Sequence, residues 1–315
     1  MWRLCKKIKV QEVDLVVYHF TKLISIFLCW TPKFVNNNIA KFLGWLAVKF
    51  CPKWRLDMAV ANIQECLGVD NIKAKKIAEE SLSRFGRMVV EVLRFPLLNK
   101  QKLDEEIVVD GLDNLETAYQ KDNGVVMVTA HYGNWEILGA FVGLYGYPVF
   151  SIVRQQNQSG INRLLNEYRE LVGQKIVYNR GENNHLQIVR MLKKKNIIGV
   201  LYDQDTNDIG VKLRIFGKEC IVPDGAAALS RLNKAPIVPI FIHNKDDGKF
   251  TIKIYPSLMC NGKDDYERVM QELINIMENE IVNDPSMWFW VHDRWKDGHQ
   301  RFDPKYDENK HGHHP

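Results

Sequence analysis

The chain has 315 residues, of which 46% are hydrophobic and 26% are charged, and its formal net charge is +5. Such a composition suits one or two globular domains with a substantial core. The mild basic excess fits a phospholipid surface, an acidic carrier or nucleic acid, and it selects none of them. The six cysteines are scattered without a CxxC pair, which excludes cysteine metal-ligand spacing and indicates reduced thiols facing the cytosol.

Two apolar segments near the N-terminus are the first predicted elements. They are residues 13–30, "VDLVVYHFTKLISIFLCW", and residues 39–51, "IAKFLGWLAVKFC". The first is barely long enough to span a bilayer, and its ionisable residues count against a span. We expect both segments to contact the membrane interface; the alternative is two ordinary amphipathic helices packed on the core. No small-residue cleavage site follows, so a removed signal peptide is not expected.

The rest of the chain divides into a helical stretch and an alternating one. Periodicity predicts a helix over residues 71–98, ended by Pro96. Beyond residue 124, short apolar runs alternate with helical patterns. The predicted strands are 125–130, 149–153, 197–202, 211–216, 237–243 and 250–255. The predicted helices are 135–145, 160–172, 184–195, 225–232 and 264–281.

This alternation predicts an α/β fold with a largely parallel central sheet flanked by helices. We expect an N-terminal helical, membrane-associated region over residues 1–100. An α/β catalytic domain would follow over residues 101–303. The polar end of the chain, residues 304–315, is predicted to be a flexible tail.

The stretch "TAHYGNWEILGA" (residues 129–140) joins the first predicted strand to a helix. Asn134 is a predicted N-cap, and Gly133 supplies the turn. On one continuous helix, His131 and Glu136 would point about 140° apart. With His131 in the loop and Glu136 in the first helical turn, the carboxylate can reach back to the imidazole.

A histidine oriented by a glutamate could remove a proton from an alcohol. No serine or cysteine nucleophile stands beside His131, so the alcohol would have to come from a substrate. The alternative is structural. A glutamate in a first helical turn is favoured by the helix dipole in any case, and the histidine could simply bind backbone.

Two further strand ends carry candidate residues. Arg154 ends the second predicted strand, where its planar guanidinium could bind a phosphate. Asp203 and Gln204 end the third. Asp203, Asp205, Asp208 and His131 could together supply metal ligands, but no H-x-x-x-H or H-E-x-x-H motif supports a metal, and none is predicted.

Two later stretches complete the set. Residues 214–232 read as a strand, a turn at Gly217 and a helix that opens near Pro223, and such a helix start favours an anion. Residues 287–296, "MWFWVHDRWK", combine aromatic and basic side chains. They could form the edge of the core or a rim at a lipid site.

Taken in order, these motifs resemble the late acyltransferases of lipid A biosynthesis, the lauroyl and myristoyl transferases. The resemblance runs over nearly the whole chain. It rests on the N-terminal apolar helix and an Arg after the second strand, together with "GLDNLETAYQKDNGVVMVTAHYGNWEILG", "GVLYDQD", "FGKECIVPDGAAALSRLNKAPIVPIF" and "WFWVHDRWK". The chain departs from the family at "QQNQ" after Arg154 and at Pro223. These differences bear on the identity of the acceptor and on the length of the acyl chain.

The resemblance implies an acyltransferase-like fold and transfer of an acyl chain from an acyl carrier protein thioester to a hydroxyl of a lipid A precursor. His131 would be the general base and Glu136 its orienting partner. The implied substrate-binding residues are Arg154, Asp203, Gln204, Gly133 and Asn134, with Gly133 leaving room for the thioester. No cofactor is expected.

The implied location is the inner (cytoplasmic) membrane, with the catalytic domain facing the cytoplasm and no nucleic-acid partner. Three alternatives remain: an acyltransferase for another glycolipid or phospholipid, a metal-dependent hydrolase, and a non-catalytic membrane-binding protein.

Overall fold

The structure, a computed structural model, describes residues 2–153, 160–178, 184–204, 210–245 and 248–295; the side chains of residues 2–11 and 184–185 are not described. Four helices come first. They are α1 (Trp2–Trp30), α2 (Lys33–Phe50), α3 (Lys53–Leu67) and α4 (Asn71–Leu93). Pro32 and Pro52 stand at the N-caps of α2 and α3, and the Asp70 carboxylate caps α4 by accepting a hydrogen bond from the Lys73 N–H at 2.7 Å.

Helix α4 connects the N-terminal helices to the rest of the protein. A Cβ added to Gly86 would lie 2.3 Å from the backbone nitrogen of Gly44, so α2 and α4 are in direct backbone contact. A 3-10 turn, Phe95–Leu97, follows α4 and contains Pro96. The predicted helix is present, but it ends at Leu93, before Pro96 and before the predicted bound at residue 98.

The remaining chain forms an α/β layer. Its strands are β1 (Ile107–Asp110), β2 (Val125–Thr129), β3 (Val149–Val153), β4 (Gln174–Tyr178), β5 (Ile197–Leu201), β6 (Val211–Ile215), β7 (Lys218–Val222), β8 (Ile237–Asn244) and β9 (Phe250–Ile254). Its helices are α5 (Lys100–Glu106), α6 (Leu112–Tyr119), α7 (Trp135–Leu144), α8 (Gly160–Leu171), α9 (Asn184–Lys193), α10 (Gly225–Asn233) and α11 (Tyr266–Asn283).

The seven-stranded sheet has the order β1-β9-β8-β2-β5-β3-β4. Neighbouring strands from β8 to β4 are parallel, β9 runs antiparallel to β8, and β1 is parallel to β9. Strands β6 and β7 form a separate antiparallel hairpin. The prediction of an α/β fold with a largely parallel sheet is confirmed.

All six predicted strands are present, but β1, β4 and β7 were missed. Strands β1 and β4 lie at the two edges of the sheet, and each buries only part of its length. Strand β7 belongs to the separate two-stranded hairpin and begins with Lys218 and Glu219. None of them has the continuous apolar run that marks a strand buried on both faces.

Strand β2 shows why the central strands are so apolar. Val126 and Val128 pack into the core on one face of the sheet, and Val125 and Met127 into the core on the other. In the parallel register of β2 and β5, Thr129 pairs with Leu201. His131 and Asp203 each follow their strand by two residues, so they emerge side by side at one edge.

Candidate active site

His131 lies in the loop between β2 and α7, and the C-terminal segment holds this loop. The His131 carbonyl accepts a hydrogen bond from the Phe289 N–H at 3.0 Å, and the Gly133 N–H donates to the Met287 carbonyl at 2.9 Å. Between these two contacts lies an isolated antiparallel bridge. The backbone from His131 to Gly133 is therefore tied to a second segment.

Asp203 is the hydrogen-bond partner of His131. One carboxylate oxygen lies 2.8 Å from His131 Nδ1. The other accepts hydrogen bonds from the His131 N–H at 3.0 Å and from Trp288 Nε1–H at 2.9 Å. Because the carboxylate is an acceptor, the ring proton is assigned to Nδ1, and neutral Nε2 keeps its lone pair. The pair therefore has the arrangement of a general base with an orienting acid.

The electrostatics of the pair favour a charged histidine. Burial lowers the pKa of His131, but the charge and hydrogen bond of Asp203 and the charge of Glu136 outweigh it, so the pKa lies above its ordinary value. Burial raises the pKa of Asp203, but the charge of His131 and three hydrogen bonds lower it to about 2. Asp203 is thus ionised at any working pH and can balance a proton on the ring.

Glu136 does not make the hydrogen bond to His131 that its position in the sequence predicted. Its carboxylate accepts two hydrogen bonds from the guanidinium of Arg169 on α8, one from Nε at 2.8 Å and one from Nη2. Both side chains are largely buried. The predicted direct contact is corrected for a geometric reason: Asp203 from the adjacent strand occupies Nδ1. Glu136 acts on His131 through its charge.

Asn134 is the N-cap of α7, as predicted. Its side-chain oxygen accepts hydrogen bonds from the N–H groups of Glu136 and Ile137, both at 3.1 Å. Its amide nitrogen donates to Glu91 of α4 at 2.7 Å. Asn134 is 1% exposed and both ends of its amide are bonded within the protein, and its substrate contact stays a prediction.

Gly133 has no room for a side chain. Its φ is +59°, and an added Cβ would lie 2.1 Å from the carbonyl oxygen of Ile242 in β8. The space predicted to admit a thioester is filled on this side by the chain itself. Gly133 also lines the cleft at His131, so a substrate contact of its backbone stays a prediction.

The Gly133→Ala variant is expected to be destabilised by more than about 1–3 kcal/mol, because strain at positive φ adds to a backbone clash. Denaturant unfolding would measure this effect. Gly146→Ala is the control, since Gly146 also has positive φ, +88°, but no neighbour within 4 Å of an added Cβ. If the two variants lose the same free energy of unfolding, the close approach of Gly133 to β8 adds nothing to the destabilisation.

A narrow cleft opens at His131. Its lining residues are Ser81, Arg84, Phe85, Met88, His131, Gly133, Trp135, Met287 and Phe289. The Trp135 ring packs edge-on against the His131 ring at a centroid distance of 4.9 Å. Most of the lining is apolar, and the one guanidinium, Arg84, donates to Ser286 at 3.0 Å. Apolar side chains therefore make up most of the surface of this cleft next to the His131 ring.

The predictions for Arg154, Gln204 and the metal ligands remain to be described. Arg154 lies outside the described residues, as do Asp205 and Asp208 of the metal alternative. Gln204 is half-buried directly after Asp203, and its substrate contact stays a prediction. Within the described ranges, no group of three His, Cys, Asp or Glu side chains is placed to hold a metal ion.

Two members of the site were missed from the sequence. Arg169 resembles a surface arginine of an amphipathic helix, although it directly follows the buried Tyr168. Trp288 belongs to the aromatic segment at residues 287–296, but no pattern of neighbouring residues predicts its hydrogen bond to Asp203. Both contacts join residues far apart in the chain, 33 positions for Arg169 and 85 for Trp288.

A family model described as "Bacterial lipid A biosynthesis acyltransferase" matches residues 6–297. The chain belongs to this family. The predicted family is thereby confirmed, and with it the assignment as an acyltransferase related to lipid A biosynthesis. The match includes the loop of His131, the strand end of Asp203 and the C-terminal segment that holds them.

The relatives of this chain fall into two groups according to the acceptor lipid in their names. The chain is 25% identical over 276 residues to a phosphatidylinositol mannoside acyltransferase of Mycobacterium tuberculosis (strain CDC 1551 / Oshkosh), covering 80% of this chain and 86% of the relative. It is 25% identical over 258 residues to the lipid A biosynthesis palmitoleoyltransferase of Escherichia coli (strain K12), covering 81% and 82%. It is 21% identical to the lauroyltransferase of the same strain, covering 81% and 83%.

Proposed function

We propose that the protein transfers a fatty acyl chain from an acyl carrier protein thioester to a hydroxyl of a lipid A precursor. The observation that carries this proposal is the His131–Asp203 pair, which opens into an apolar cleft in a member of the lipid A acyltransferase family. A histidine that is hydrogen-bonded to a carboxylate can act as a general base, and the acceptor hydroxyl is then the nucleophile.

In the proposed reaction, His131 Nε2 removes the proton of the acceptor hydroxyl while its oxygen attacks the thioester carbonyl carbon. A C–O bond forms, the C–S bond then breaks, and the imidazolium returns the proton to the leaving thiolate. Asp203 keeps the ring in the productive tautomer and balances its transient charge. Glu136, which is buried and held by Arg169, adds a second negative charge to the surroundings of the ring.

A phosphatidylinositol mannoside or a similar glycolipid is the second candidate acceptor, because relatives of equal identity carry that name. Parallel reactions with both acceptors and carrier thioesters of several lengths, read by mass spectrometry, would test the proposal. Acylation of the lipid A precursor supports the first candidate. Acylation of only the mannoside would move the assignment to the second, and hydrolysis without transfer would contradict both.

We further propose that helix α1 lies on the cytoplasmic face of the inner membrane. Among the described residues, Glu12–Trp30 is the helix that is long and apolar enough to cross a membrane, and 17% of it is buried. One face of α1 packs on the protein through Tyr18, Ser25 and Leu28. The opposite face carries exposed apolar side chains at helical spacing: Val13, Val16, Phe20, Leu23, Phe27 and Trp30. A helix with one packed face and one apolar exposed face suits interfacial binding.

Replacing Phe20, Leu23 and Phe27 together by serine is expected to weaken binding to anionic vesicles by at least about 100-fold, because three large apolar side chains no longer enter the lipid. Vesicle sedimentation would measure the change. The matched control replaces three exposed apolar residues elsewhere: Ile72, Leu232 and Val282. If the control variant detaches as readily as the α1 variant, α1 is not the membrane contact.

A further inference from the structure

The C-terminal segment contains buried polar atoms that the acyl-transfer mechanism does not use. Within the described part of the chain, Arg294 Nε and Nη1, His292 Nε2 and Trp295 Nε1 are buried without a hydrogen-bond partner. They stand within four consecutive residues. A single unsatisfied atom is common, but a cluster that includes a guanidinium is not, because buried polar groups in folded proteins are nearly always paired.

Arg294 is the centre of this cluster. Its exposed fraction is 2%, and its side chain donates from Nη2 to the carbonyl oxygen of Ile221 at 2.9 Å. No carboxylate among the described residues lies within ion-pair distance of it. Since a guanidinium stays charged at any working pH, Arg294 is a buried cation that needs a counter-charge. An anionic ligand would supply one.

The cluster lies beside the catalytic pair. The His292 N–H donates to the Phe289 carbonyl at 3.4 Å, and the Phe289 N–H donates to the His131 carbonyl at 3.0 Å. Burial lowers the pKa of His292; the charges of His131 and Arg294 lower it further, and the charge of Asp203 opposes them. Trp288, which donates to Asp203, has its ring 6.2 Å from that of Trp295. His292 and Trp295 are half-buried as residues, and their ring nitrogens in the cluster are buried.

We propose that Arg294, flanked by His292 and Trp295, binds a phosphate group of a substrate. The proposal rests on the function proposed above, in which the acceptor lipid and the phosphopantetheine arm of the carrier both bear phosphate. A guanidinium with two free donor positions matches two phosphate oxygens, and an indole N–H can donate to a third. The same contact would hold the substrate at a fixed position relative to His131 Nε2.

Thermal melting with inorganic pyrophosphate tests the site without any acyl transfer. At constant ionic strength, pyrophosphate is expected to raise the melting temperature of the wild-type protein, whereas chloride is not. Arg294→Lys keeps the charge but loses the planar fork, and its apparent affinity for pyrophosphate should be about tenfold weaker or more. Arg214→Gln is the control, because Arg214 is an exposed arginine on the hairpin that Arg294 contacts. Absence of stabilisation in the wild type, or equal stabilisation in Arg294→Lys, overturns the proposal.

Steady-state kinetics identifies the source of the phosphate. If the phosphate belongs to the acceptor, Arg294→Lys raises KM for the acceptor and leaves KM for the carrier thioester unchanged; if it belongs to the carrier arm, the pattern reverses. An unchanged KM for both substrates overturns the proposal even if melting responds. A protein with no transferase activity but with Arg294-dependent stabilisation by pyrophosphate would contradict the proposed function and leave the phosphate site standing.

Discussion

Replacing Asp203 by asparagine is expected to lower kcat/KM by about 10²- to 10⁴-fold, the range for loss of an effective general base. The amide is neutral, so it no longer balances a proton on His131, and it no longer selects the tautomer with hydrogen on Nδ1. The substitution is nearly isosteric. The loss should therefore appear in turnover with little change in folding.

The pH profile separates this mechanism from a general loss of structure. General-base catalysis needs neutral His131, so the rate falls as pH drops through the pKa of His131, which lies above its ordinary 6.5. Because the charge of Asp203 raises that pKa, the acidic limb of Asp203→Asn should move to lower pH. Asp113→Asn, an exposed change of equal charge in α6, should leave the limb in place. An unmoved limb in Asp203→Asn would refute the assigned pairing.

Replacing Arg169 by methionine is expected to destabilise the protein by about 3–5 kcal/mol, because it leaves the Glu136 carboxylate buried without a counter-charge. The Glu136 side chain is 6% exposed and that of Arg169 is 12% exposed, so water replaces little of the lost interaction. Denaturant unfolding would measure the difference. Arg163→Met, at an exposed position of the same helix, should cost less than about 1 kcal/mol.

A double-mutant cycle would confirm the origin of that loss. Glu136→Gln combined with Arg169→Met removes both charges, so its destabilisation should be smaller than the sum of the two single changes. Strict additivity would mean that the two side chains do not interact in solution. Glu136→Gln alone should also move the acidic limb of the pH profile to lower pH, since the charge of Glu136 raises the pKa of His131.

The sequence was sufficient for those features that depend on local patterns. The apolar run of β2, the cap at Asn134 and the turn at Gly133 each follow from a few neighbouring residues, and all three are present. The edge strands were missed because they lack a continuous apolar run. The parallel sheet followed from the alternation of strands and helices, which is a property of chain order.

The partner of His131 could not be predicted in the same way. Glu136 is near in sequence, but Asp203 is near in space because β5 pairs directly with β2. Strand order is decided by long-range packing, and two candidate acids at two strand ends do not reveal which of them reaches the ring. Arg169 was missed for a related reason, since its role exists only when α8 packs beside α7.

The most direct test of the account measures acyl transfer by wild-type protein and His131→Ala under the same conditions. Purified protein in mixed micelles would receive a lipid A precursor and an acyl carrier protein thioester, and mass spectrometry would follow the acylated lipid. Melting curves would confirm that the variant is folded. We expect product from the wild type and a rate at least about 100-fold lower from His131→Ala. A folded His131→Ala protein that acylates the lipid at the wild-type rate would contradict it.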